Sequence, residues 1–332
     1  MGRSMEKNFL LLKERIIDAN KKVSQKELIE KLGNIKGNMI SIGTGGSYPI
    51  AYYASIVMEK CNNCFTKCSY PRDLLYINKI PDNIISFSYS GKTPSIIQAL
   101  KSIKSKKILF TIDSSYTEKI MNNNDSVINY QGDIPKEKSF ISIVSTIIPI
   151  TLLLKYSMKD NKDFTEDNFI ELITDIMDKS EEYIGKLINN LGLNDFNTIE
   201  IFTGDNTYTS AYLLRSTIIE SSMAYPIIHE KNDYCHGCQT FNYNKPTDLA
   251  IYLLGNKSKQ DELHIKNVLP TYNKSIILEA FSNDELLIEF ELTIKALFLL
   301  RTLAKIKNIN LSNIRYPKEL VRKLYYFKGK MK

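Results

Sequence analysis

The run Ser88-Tyr89-Ser90-Gly91-Lys92-Thr93 places aliphatic hydroxyls at positions 88, 90 and 93, with a glycine between the last two. It follows the apolar residues Ile84, Ile85 and Phe87 and precedes Pro94, after which Ile96, Ile97, Ala99, Leu100 and Ile103 recur at helical spacing. Hydroxyls joined to unpaired N–H groups at a helix start form an anion site, for which a phosphate ester is the usual guest. Proline suits the first helical position because the N–H it lacks would have no partner there. The plain alternative is a strand-to-helix turn in which Ser and Thr only cap the helix. A second turn, Gly43-Thr44-Gly45-Gly46-Ser47, also follows an apolar run, Met39-Ile40-Ser41-Ile42. Its glycines allow close backbone approach to a ligand, but the spacing is not that of a dinucleotide-binding loop.

Two further residues have the chemistry to move protons. Glu220 follows Ile218-Ile219, and a carboxylate there is costly unless it faces a polar site; the alternative is an exposed helix position. His236 is one of three histidines, with His229 and His264, and imidazole is the side chain that exchanges protons near neutral pH; the alternative is a loop or capping histidine. His229 and Glu230 lie between these two and are read as pocket-lining only. Five cysteines fall as Cys61-x-x-Cys64 with Cys68, and as Cys235-His236-Gly237-Cys238. Both groups have metal-ligand spacing, and zinc with His236 as a ligand is one reading. An odd number of thiols with no finger-spaced second histidine favours free thiols, so no metal and no cofactor is expected.

The elements that must position these groups follow from periodicity. Residues 6–32 read as helical, with Leu12, Ile16, Ala19 and Val23 on one face and Ser24 as a second N-cap. Strands are expected at 39–42, 84–88, 107–112 and 126–130, with helices after Ser47, over 94–105 and over 140–156. A linker and connecting helix cover 160–192. Alternation resumes with a strand at 199–203, a glycine turn, a helix over 208–223, strands at 249–254 and 275–280, and a helix over 285–305. Alternation at this spacing predicts an α/β fold of parallel sheets covered by helices, with ligands at the carboxyl ends of the strands. The second half repeats the first, but its strand 249–254 ends in Gly255-Asn256-Lys257 without a hydroxyl cluster.

With 332 residues, 43% hydrophobic and 24% charged, the chain has enough apolar content for two cores. The 44 Lys and Arg against 37 Asp and Glu leave +7, and the lysines are scattered rather than gathered in an aromatic-interleaved stripe. This suits anionic small molecules and argues against nucleic acid. The apolar run 140–154 is too short for a membrane span, and no leader pattern opens the sequence. A cytoplasmic protein without membrane partners is expected.

Taken in order, Gly43-Thr44-Gly45-Gly46-Ser47, Ser88-Tyr89-Ser90-Gly91-Lys92-Thr93 and Glu137-Lys138-Ser139-Phe140-Ile141-Ser142 resemble the motifs of sugar isomerase (SIS) domains. The duplicated pattern is similar to double-SIS proteins, including the isomerase half of glutamine:fructose-6-phosphate amidotransferase and the related deaminases and deglycases. The resemblance covers roughly residues 35–325. It implies two tandem SIS domains, each a doubly wound parallel sheet between helices: a helical segment 1–34, a phosphate-binding domain 35–158, a linker helix 159–195, and a second domain with a C-terminal tail, 196–332. It also implies that Ser47, Ser88, Tyr89, Ser90 and Thr93 hold a sugar phosphate, with Gly45, Gly46, Ser142 and Lys323 lining the substrate. Glu220 takes the place of the family's base, and His236, sixteen positions on, that of its ring-opening group. His236 would serve the neighbouring subunit of a homodimer.

The chain departs from the family where Cys238 replaces the proline after His-Gly. It departs again where Arg322, followed by Lys323, stands at the catalytic lysine; arginine does not shed its proton to form a Schiff base. No glutaminase segment is present, so amination from glutamine is not expected. The reading is an isomerase, or a deaminase or deglycase, moving a C1/C2 proton through an enediol or enamine. The alternative is a phosphosugar-binding regulator without turnover, although no DNA-binding helical pair is evident near the start.

Overall fold

Three helices open the chain, α1 (Arg3–Leu10), α2 (Leu12–Lys22) and α3 (Gln25–Leu32). They belong to a computed structural model that describes residues 3–117, 120–137, 141–189, 192–193, 196–204, 206–244, 247–317 and 319. Leu12, Ile16, Ala19 and Val23 are buried as their spacing predicts. Ser24 caps α3 by accepting the Glu27 N–H at 3.2 Å.

The first sheet comprises β1 (Asn38–Ile42), β2 (Phe65–Ser69), β3 (Asn83–Phe87), β4 (Lys106–Thr111) and β5 (Ser126–Asn129). All pairings are parallel and the order is β2-β1-β3-β4-β5. Every residue of β3 is buried, as a central strand covered on both faces requires. Helix α4 (Ser47–Asn62) follows β1, α5 (Pro94–Ser102) follows β3, and α6 (Val144–Ser157) follows β5. The helix expected over 94–105 stops at Ser102 because Ile103 turns extended, with φ −120° and ψ 138°.

Helix α7 (Glu166–Asn189) leads to the second sheet, formed by β6 (Thr198–Thr203), β7 (Tyr225–Glu230), β8 (Leu249–Leu254) and β9 (Lys274–Glu279). This sheet is also parallel throughout, in the order β7-β6-β8-β9. It is interleaved with α8 (Tyr208–Glu220), α9 (Cys238–Asn244) and α10 (Lys259–Asn267), and α11 (Glu285–Ile306) closes it. Strands β2 and β7 and helices α9 and α10 are absent from the sequence-based expectation. The helix expected over 208–223 ends at Glu220, and Ser222 adopts a left-handed φ of 53°.

The fold is thus α/β, with two parallel sheets flanked by helices. Helix α4 packs on α6 and α8, and α8 packs on α11. The Tyr53 hydroxyl of α4 donates to the Leu286 carbonyl of α11 at 3.1 Å, tying the first-sheet layer to the second. Among the described residues, no helix is long and apolar enough to cross a membrane.

Candidate active site

In the first sheet the chain leaves β1 for β2 on one side, then returns to place β3 on the other. Connections that diverge in this way open a crevice at the carboxyl ends of the two central strands. Ile42 pairs with Ser86 near those ends, so the turn 43–47 and the loop 88–93 emerge side by side.

The loop is held by its own hydroxyls. Ser88 and Thr93 share a hydrogen bond of 2.9 Å, and the Ser90 hydroxyl accepts the Lys92 N–H at 3.3 Å while facing solvent. Gly91 has φ +65°, and a Cβ there would lie 2.2 Å from the Asp113 carbonyl oxygen, so only glycine fits. The Lys92 ammonium is drawn 3.2 Å from Asp113. The Tyr89 hydroxyl accepts the Glu137 N–H at 3.0 Å, and burial pushes the phenol up to about 12. Tyr89 therefore braces the loop against the segment leading to Ser142.

No described side chain caps α4 or α5, whose N-cap residues are Gly46 and Thr93. The first turn of α5, Pro94-Ser95-Ile96, lies beside the loop, where a helix dipole favours an anion; in α4 the N–H groups of Ser47 and Tyr48 already donate to the Thr44 and Gly45 carbonyls at 3.0 Å, and Pro49 has none. Ser47 is the first residue of α4.

The candidate base comes from the other half of the chain. Glu220 is the last residue of α8, and its Oε1 would lie 3.6 Å from a Cβ placed on Gly45, whose φ is +54°. A Cβ on Gly46 would meet the Ser142 Cβ at 3.1 Å and Thr146 Oγ1 at 3.2 Å. Thr146 donates to the Gly46 carbonyl at 3.2 Å. Gly45, Gly46, Ser142 and Glu220 therefore gather at one turn. Burial pushes the Glu220 carboxyl up to about 7, where a carboxylate can both take and return a proton near neutral pH.

Glu137, in the sequence only the first residue of the third motif, positions this corner. Its carboxylate accepts the N–H groups of Ile143 at 3.1 Å and Ser145 at 3.0 Å, and Asn8 donates to it at 3.3 Å. The start of α6, and with it Ser142, is fixed by that cap. Lys138, Ser139 and Phe140 of the same motif, together with Arg322 and Lys323, lie outside the described residues.

His236 is exposed, whereas the Glu220 carboxyl is largely desolvated. The histidine lies on an exposed turn between β7 and α9, its N–H donating to the Asp233 carbonyl at 2.9 Å. A Cβ on the next residue, Gly237, would meet nothing within 4 Å. His229 and Glu230 serve the second sheet instead. His229 Nε2 stands 3.1 Å from Glu200, and Glu230 accepts from Asn232 at 3.0 Å and the Asp233 N–H at 2.9 Å. Burial raises the Glu200 carboxyl, but His229, Thr247 and Tyr272 around its oxygens outweigh that and hold it below the usual range. Among the described residues there is no group of three His, Cys, Asp or Glu able to hold a metal ion.

The corresponding corner of the second sheet is closed by the protein's own acids. The carboxylate of Glu289, fully buried on α11, accepts the N–H groups of Thr209 at 3.0 Å and Ser210 at 3.4 Å in the first turn of α8. Ser258 and Asp261 form a reciprocal capping box on α10. The first turn of α8 is thus occupied from within the protein, while the last residue of the same helix is Glu220.

No protein-family model matches the chain, and no curated protein matches it. Solved structures do share its fold. Glucosamine-6-phosphate deaminase from Thermotoga maritima superposes with a TM-score of 0.71 at 17% identity, over 91% of this chain and 97% of that one. Tagatose-6-phosphate ketose/aldose isomerase from Escherichia coli gives 0.74 at 12% identity, over 95% and 96%. The C-terminal domain of glucosamine-fructose-6-phosphate aminotransferase from Francisella tularensis gives 0.68 at 13%, over 94% and 98%. The chain therefore has the fold of phosphosugar isomerases and deaminases, the same group that its motifs resemble.

Proposed function

We propose that this chain is a sugar-phosphate enzyme of the isomerase or deaminase/deglycase type, acting on a phosphorylated ketose or amino sugar. The observation that carries the reading is the Glu220 carboxylate beside Gly45, at the turn that emerges next to the hydroxyl loop. The hydroxyls of Ser47, Ser88, Ser90 and Thr93, with the first turn of α5, hold the phosphate. Segment 35–158 would then be the phosphate-binding domain and 196–332 the domain that supplies the base.

With the phosphate anchored, the carbonyl end of the substrate lies along Gly45, Gly46 and Ser142, within reach of Glu220. The ionised carboxylate takes the C2 proton of an open-chain amino sugar, and the electron pair moves onto the C1 carbonyl oxygen to give an enolamine. Return of the proton to C1 leaves a C2 imine; water adds to it and ammonia departs. With a hydroxyl at C2 the same two transfers interconvert aldose and ketose. His236 of a neighbouring subunit in a homodimer would protonate the ring oxygen of closed substrates, and Lys323 would line the site.

The test is turnover on glucosamine-6-phosphate, fructosamine-6-phosphate and fructose-, tagatose- and arabinose-phosphates, scored by ammonia and ketose formation. Turnover lost in Glu220→Gln supports the reading. Binding that Ser90→Ala weakens and Glu220→Gln leaves intact, without turnover on any member, would replace it with a phosphosugar sensor.

A further inference from the structure

The turn carrying His236 holds a feature that sugar-phosphate chemistry does not use. Cys235 and Cys238 flank His236-Gly237, and both are exposed, whereas Cys61 and Cys68 are half-buried and Cys64 is buried. Burial pushes all three of the latter thiols up, Cys68 to about 11, which leaves them poor nucleophiles.

The segment between the exposed pair is folded back on itself. The Gln239 N–H donates to the Tyr234 carbonyl at 3.4 Å, and the Gln239 side-chain amide donates to the Cys235 carbonyl at 2.7 Å. The Gly237 N–H donates to Gln239 Oε1 at 3.0 Å, and Gly237 takes φ +127°. Residues three apart in a tight turn lie within about 7 Å, and disulfides bridge Cα separations of about 4.4–6.8 Å. A Cβ placed on Gly237, between the two cysteines, would meet nothing within 4 Å, and both cysteines are exposed.

We infer that Cys235 and Cys238 form a reversible dithiol–disulfide site that closes over the turn carrying His236. With a peroxide as oxidant, one thiolate attacks the O–O bond, giving a sulfenic acid and releasing hydroxide, which is protonated to water. The second sulfur then displaces the sulfenic hydroxyl as a second molecule of water, forming the S–S bond. Two electrons pass from the two thiols to the peroxide, and a dithiol reductant returns them. The consequence for catalysis rests on the proposed role of His236: a closed ring of residues 235–238 restrains the imidazole that must reach the ring oxygen.

The experiment exposes the full-length protein to hydrogen peroxide, blocks remaining thiols with iodoacetamide, and reads the peptide containing residues 235–238 by mass spectrometry. The expected result is loss of two hydrogens from that peptide, reversal by dithiothreitol, and absence of the cross-link in Cys235→Ser and Cys238→Ser. Alkylation of both thiols after oxidation, or cross-links between chains instead, would overturn the site. Activity is a separate arm, because a cross-link that leaves turnover of ring-closed substrate unchanged would overturn the role given to His236 and leave the dithiol site standing.

Discussion

At the scale of single residues, the proposed chemistry turns on one carboxylate and one hydroxyl loop. Glu220→Gln keeps the shape but removes the base, so kcat should fall by about 10³ with KM changed only a few-fold, as for loss of a general base. Because burial holds Glu220 near 7, the wild-type rate should climb as pH rises toward 7 and level off above it, the ionised form being the active one. A pH profile of kcat/KM measures this directly. Ser90→Ala should weaken binding of a phosphate-bearing ligand by about 1 kcal/mol, the usual worth of one hydrogen bond. Gly91→Ala should cost far more, since its Cβ would lie 2.2 Å from the Asp113 carbonyl oxygen; calorimetric titration of both variants separates these outcomes.

At the scale of elements, the first turn of α8 is closed by a buried acid of α11. Glu289 closes α8 from a fully buried position, and burial pushes its carboxyl up to about 8 against the pull of the N–H groups it accepts. Glu289→Ala strips those N–H groups of their partner and leaves a void, for an expected loss of about 2–4 kcal/mol in urea unfolding. The pH dependence has a definite sign. The native state keeps this proton up to about 8, whereas an unfolded chain releases it near the ordinary carboxyl value of about 4.3. Across that window the native state binds more protons, so stability falls as pH rises. Glu289→Gln should flatten that slope, as urea midpoints at pH 5 and pH 8 would reveal.

The sequence made the central strands legible but not the edges. The central strand β3 is an unbroken buried run, and α4, α5, α8 and α11 carry clear helical spacing. Edge strand β2 alternates exposed and half-buried residues over Phe65–Cys68, with Phe65 itself on the exposed side, a pattern hard to separate from a loop. Edge strand β7 contains Pro226 and ends in His229-Glu230, residues that discourage a strand reading, yet an edge position tolerates the proline. The Gly45, Gly46, Ser142 and Glu220 cluster could be named from motifs, whereas Glu289 could not. It lies 80 positions from the N–H group of Thr209 that it accepts, inside a helix whose apolar pattern hides it.

At the scale of the whole molecule, the proposed function divides the labour between the two sheets: anion binding at the first, the base from the second. The exposed turn of His236 sets the remaining expectation. If His236 serves a neighbouring subunit, Glu220→Gln and His236→Ala proteins are each poorly active alone. Unfolded, mixed and refolded together, they should recover up to about a quarter of wild-type activity through hybrid sites, the yield that two complementary chains allow in a symmetric dimer. No recovery would place ring opening within one chain.

The most direct test of proton movement by Glu220 is nuclear magnetic resonance of the sugar-phosphate panel in D₂O, with wild type and Glu220→Gln side by side. Deuterium should enter C1 or C2 of at least one panel member with wild type and not with the variant. Exchange at equal rates in both proteins, or in neither while the ligand still binds, would contradict that role for Glu220.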